Sequence, residues 1–140
     1  MKLIPFVLSM LFISLLFSCG TENDENEVLK EQVIAIHDEV MPEIGNLKSQ
    51  QSKLVEKANA LENEADESSY REELNKAAQS CESAYDNMFV WMRQFESEYD
   101  DMSEEETRAY LQEQLQMVEK VKADILAALS KADSLLQVGA

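Results

Sequence analysis

Three glycines, two prolines, two cysteines and a single histidine in 140 residues exclude several kinds of protein. The sequence holds no glycine-rich phosphate loop, no nucleophile elbow, no Glu-x-x-His pair and no Cys-x-x-Cys-His. One histidine cannot build most acid–base or zinc constellations, so no enzyme is expected. Basic residues are scarce too, 12 against 28 acids, which gives a formal charge of -16. A surface so acidic disfavours nucleic acid and anionic lipid headgroups as partners.

What is present begins with an export signal. Residues 1–18, MKLIPFVLSMLFISLLFS, have a basic start at Lys2 and an apolar run from Leu3 to Phe17, too short for a permanent membrane span. Leu16-Phe17-Ser18-Cys19 resembles a bacterial lipobox, so cleavage before Cys19 and acylation of its thiol by diacylglyceryl and palmitate-type chains are expected. The alternative is an ordinary secretory signal, with Cys19 left free or removed. Once Cys19 carries lipid only Cys81 remains, and no intrachain disulfide can form. The expected organisation is a removed signal (1–18), the lipidated cysteine with a polar, acidic linker (19–26), and a helical domain (27–140). The expected location is a bacterial envelope, at the outer membrane on its periplasmic or surface face.

Beyond the linker, apolar residues recur at alternating three and four spacings, the mark of amphipathic helices. The first stripe runs Leu29, Val33, Ile36, Val40, Ile44, Leu47, Gln51, Leu54, Ala58, Leu61 and Ala65, with an extra step of four at Val40 to Ile44 that coincides with Pro42. Proline removes the bond to the carbonyl four residues back, that of Asp38, so a kink near His37 to Met41 is expected. One long bent helix is the preferred reading and two separate helices the alternative. Ser69 with Glu72 reads as a capping box opening a second helix, with Tyr70, Leu74, Ala77, Cys81, Ala84, Met88, Trp91 and Phe95 inward. Ser103 with Glu106 opens a third, from about Glu104 to Leu136, with Leu111, Leu115, Val118, Val121, Ile125, Leu129, Ala132 and Leu136 inward. The expected fold class is all-α: an antiparallel up-down-up three-helix bundle of coiled-coil character, kinked at Pro42, or a four-helix bundle if the first helix breaks.

In that topology His37, Met41, Met88, Trp91, Met92 and Met117 fall in one layer. Imidazole with thioethers suits Cu(I) or an axial haem pair, so His37, Met41, Met88 and Met92 form a candidate metal set. The bland reading has no cofactor: methionines fill the gaps at a kink and Trp91 is core. The acids Glu96, Glu98, Asp100, Asp101, Glu104, Glu105 and Glu106 lack the alternating ligands and glycine of a calcium loop and suit helix capping instead. Cys81, in the apolar stripe, reads as a small buried residue.

The lipobox, with IHDEVMPEIG (Ile36 to Gly45) and MFVWMRQF (Met88 to Phe95), resembles a family of small Bacteroidetes-type lipoproteins usually labelled "viral A-type inclusion protein". The family's proline is followed by Lys-Met, whereas Glu43 and Ile44 stand here. The resemblance implies a coiled-coil lipoprotein and no activity. It rests on His37, Asp38, Glu39, Trp91 and Met92, which form the candidate interaction surface. The expected function is a membrane-tethered acidic rod that binds another envelope protein or acts as a spacer, with copper or haem binding as the alternative. Its partners are then the bilayer, through Cys19, and an envelope protein, with monomer or dimer left open.

Overall fold

The computed structural model describes residues 22–138; Cys19, the signal and residues 139–140 lie outside them. The described chain is helical, with no strand among the described residues. Its elements are α1 (Glu22–Val40), α2 (Ile44–Ala60), α3 (Ser68–Gln94) and α4 (Glu104–Gln137). None is long and apolar enough to cross a membrane. Residues 22–26, read as linker, belong to α1, and Asn26 is buried, its Nδ2 donating to the Glu104 carbonyl at 3.0 Å. The start of α4 packs on this turn, and that tertiary contact outweighs the polar composition.

Between α1 and α2 the interruption expected at Pro42 is one 3₁₀ turn, Met41–Glu43. Val40 (φ -99, ψ -15) and Ile44 (φ -59, ψ -39) both stay right-handed helical, and the Ile44 N–H reaches the Met41 carbonyl. Tightening to an i to i+3 bond accommodates the missing proline N–H without a loop. The chain thus lies between the two readings, continuous in hand but divided into two α segments.

The core gathers the inward residues of all four helices, with Val33, Leu47, Leu54, Leu74, Cys81, Met88, Leu111, Val118, Ile125 and Ala132 fully shielded from solvent. Packing is uneven along it. Helix α2 lies against both α3 and α4, and α3 lies against α4, but α1 runs along α4 and stands off α3. Small residues explain the close half, because Ala58, Ala77, Ala78, Ala84, Ala128 and Ala132 let the α2, α3 and α4 backbones approach. Where α1 stands off α3, the space holds Trp91 and Phe95. Polar contacts fix the register: Glu39 pairs with Lys122 (2.6 Å), Lys131 with Glu73 (3.2 Å), and Gln50 bonds to Asp133. Helix α4 has no basic residue in its last turn. Lys57 Nζ supplies that cation from α2, donating to the Leu135 carbonyl at 3.2 Å, and Tyr70 donates to the same carbonyl at 2.6 Å.

The two capping boxes fare differently. Helix α3 starts at Ser68 with no side-chain cap, because the 3₁₀ turn Ala65–Glu67 runs straight into it and Ser68 is already helical. Glu72 therefore pairs with Lys76 at 2.6 Å instead of returning to Ser69. The Ser103–Glu106 box forms in full: Ser103 is extended (φ -70, ψ 162), its hydroxyl accepts from the Glu106 N–H, and its own N–H donates to the Glu106 carboxylate at 2.9 Å. Ser103→Ala is expected to cost about 1 kcal/mol, read by urea denaturation. Bonding from the Ser103 backbone, then from its hydroxyl, holds the Glu106 carboxyl below the usual carboxylate range. A lowered carboxylate pKa contributes stability above the unfolded pKa and loses it as pH falls through the folded value. Alanine keeps the backbone N–H, so only the part of the Ser103→Ala gap carried by the hydroxyl's bond to the Glu106 carboxylate should be lost below the ordinary glutamate range.

Candidate functional site

Above the 3₁₀ turn, the layer where α1 stands off α3 is built from side chains. Val33 and Val40 anchor α1 in the core, and the positions beside them on the α3 side are Lys30, Ile34, His37 and Met41, each one turn from the next. His37 lays its ring near Trp91, centroids 5.8 Å apart and planes tilted by 35°. Its Nδ1 is 2.9 Å from the Asp38 carboxylate, while Nε2 is shielded and meets no hydrogen-bond partner.

Trp91 is 4% exposed, and its Nε1–H donates to Gln114 Oε1 at 3.1 Å, a polar pair closed inside the core. Burial without that acceptor would leave the indole N–H unsatisfied, so Gln114 is what permits a tryptophan here. Gln114 in turn directs its amide to Met117 Sδ at 3.8 Å. From Trp91 the rings continue to Phe95 (5.2 Å), Tyr110 (6.4 Å) and Tyr99 (5.9 Å). Lys30 of α1 closes the ladder, its ammonium 5.5 Å from the Tyr99 ring centroid and 3.1 Å from the Ser97 carbonyl. Burial raises the pKa of both tyrosines, more than the charge of Glu27 does at Tyr99.

The sequence-predicted residues divide here. His37, Asp38 and Trp91 come together. Glu39 does not join them, because its carboxylate turns to Lys122 on the α4 side. Of the four candidate metal ligands, Met88 is closed in the core at 0% exposure, Met92 is on the surface at 37%, and Met41 and His37 are half-buried. Among the described residues no three His, Cys, Asp or Glu side chains group together. Of the acids after α3, Glu106 completes the cap of α4 with Ser103, and Glu104 accepts from Asn26 Nδ2 at 2.9 Å. Cys81 is buried, and burial pushes its thiol pKa up, so it stays protonated and unreactive.

No family model, curated protein or solved structure matches this chain. What the layer can do is therefore read from its own chemistry. It holds apolar and aromatic surface on one side of α1, with acidic positions outside it. Phe95 was already on the inward stripe of the sequence, whereas Gln114, Tyr99 and Tyr110 were not picked out, and only Gln114 left a signal, as a polar residue one position from the inward stripe.

Proposed function

We propose that this chain is a non-enzymatic cell-envelope lipoprotein, tethered through acylated Cys19, whose acidic helical rod acts as a protein-interaction or spacer module. The observation that supports the reading is the exposure of Ile34 on α1 and Met92 on α3, apolar side chains at the surface of an otherwise acidic chain. The proposed architecture is an antiparallel up-down-up bundle with α1 and α2 as one arm. Contacts that support it rise together along that arm and α4, from Asn26–Glu104 to Glu39–Lys122 to Lys57–Leu135. Those between α3 and α4 run the opposite way, from Trp91–Gln114 to Glu73–Lys131 to Tyr70–Leu135. With 34 residues in α4 the rod is about 50 Å long.

The tether is tested by fractionation. Cys19→Ala is expected to move the chain from the membrane pellet to the soluble fraction of expressing cells and to abolish incorporation of labelled palmitate. A variant that still sediments with membranes and still takes up label overturns the lipoprotein reading.

A further inference from the structure

We propose that Met117 is a site of reversible oxidation by a peroxide, whose sulfoxide is held by the Gln114 amide and read in the core at Trp91. The methionines of the described residues differ first in access. Met88 is closed in the core, Met41 and Met102 are half-buried, and Met92 and Met117 are both 37% exposed. Thioether oxidation needs contact with the oxidant, so Met92 and Met117 are the two that a dissolved peroxide meets. They differ in what lies beside the sulfur. Met117 follows Gln114 by one turn of α4, and Gln114 Nε2 donates to its Sδ at 3.8 Å. Gln114 is 6% exposed, and its Oε1 is committed to the Trp91 Nε1–H at 3.1 Å, which fixes the amide with Nε2 toward Met117. A buried amide N–H is thus satisfied by a thioether, which is a weak acceptor.

A sulfoxide oxygen is a strong acceptor and stands one bond out from the sulfur. An amide 3.8 Å from Sδ therefore meets that oxygen, set to one side of the S···N line, at an ordinary N–H···O distance of about 2.9 Å without movement of α4. In the step, a lone pair of Met117 Sδ attacks one oxygen of hydrogen peroxide and forms the S–O bond. The O–O bond breaks, the departing hydroxide takes the proton of the transferred oxygen to become water, and sulfur is oxidised by two electrons while the peroxide is reduced by two. Two thiols of a reductase reverse the change, returning the thioether with a disulfide and water. Oxidation ordinarily turns an apolar side chain polar and disturbs the packing it joins. Here the new oxygen pins Gln114 from its second end and reinforces the Trp91 bond that joins α3 to α4.

Trp91 is the single tryptophan, so the test is direct. The full-length acylated chain in detergent is treated with hydrogen peroxide under native conditions. Peptide mass mapping follows each methionine, and fluorescence follows Trp91. Met92 and Met117 are expected to gain one oxygen before Met88 does. Trp91 emission should shift as Met117 converts and return on treatment with methionine sulfoxide reductases for both epimers and a dithiol. The shift should persist in Met92→Leu and vanish in Met117→Leu, two variants that replace exposed side chains and should keep the parent circular dichroism. Oxidation should also lower the melting midpoint of Met92→Leu no more than that of Met92→Leu with Met117→Leu, in which this sulfoxide cannot form. Met117 left intact while Met92 converts, an emission shift that survives Met117→Leu, or a larger fall in the midpoint of Met92→Leu than in the double variant overturns the proposal.

Discussion

Trp91→Ala is expected to lower folding stability by about 3–5 kcal/mol, measured by urea or thermal denaturation. Two effects add. The indole is 4% exposed and contacts both the His37 and Phe95 rings, so its removal opens a cavity at the widest part of the core. It also leaves Gln114 Oε1 buried without its donor. Trp91→Phe separates the two, keeping most of the ring and losing only the N–H, and should cost about 1–3 kcal/mol. Adding Gln114→Leu to Trp91→Phe should recover part of that loss, because the unsatisfied oxygen goes as well. Since α1 packs more closely on α4 than on α3 among the described residues, the alanine variant should also lose amide-exchange protection in α1 before α2. A loss below about 1 kcal/mol would mean that the ladder follows the packing of α1 and does not hold it.

How far the sequence specified this arrangement depends on the scale of the feature. Helical periodicity and scarce breakers were enough for an all-helical chain and for nearly every inward residue of α3, from Leu74 to Trp91. Along α4 the choice between adjacent positions was the difficulty. Hydrophobicity favoured Leu115, Leu129 and Leu136, yet their preceding neighbours Gln114, Ala128 and Leu135 are the buried ones, with the three leucines only partly covered. The stripe drifts around the helix, and which neighbour faces the centre is set by what lies opposite: Trp91 needs an acceptor, so glutamine turns in, and Cys81 faces the Ala128 carbonyl at 3.9 Å, so alanine turns in. Those are tertiary facts with no local signature. His37 and Trp91 could be placed in one layer by counting turns, but the aromatic ladder could not, because Tyr99 lies in an irregular segment and Tyr110 approaches it from another helix.

The closed half of the molecule carries the other large effect. Leu54→Ala, in α2, is expected to cost about 2–5 kcal/mol, toward the upper end of that range. Leu54 is fully buried, and its core cluster includes Ala58, Ala77, Ala78, Cys81, Ala128 and Ala132 on helices packed closely together. Short side chains cannot swing into a vacated space, and helices held together by Tyr70 and Lys57 at the end of α4 cannot close over it. Leu126→Ala, at a 47% exposed position, should by contrast stay within about 0.5 kcal/mol of the parent chain. Leu54 and Met92 lie on opposite sides of the 3₁₀ turn and share no bonded partner, so Leu54→Ala with Met92→Glu should be additive within about 0.5 kcal/mol. A larger coupling, measured by double-mutant cycle, would show that the Pro42 turn transmits strain between the halves. Additivity would instead show that the packing around Leu54 and the surface at Met92 are energetically independent.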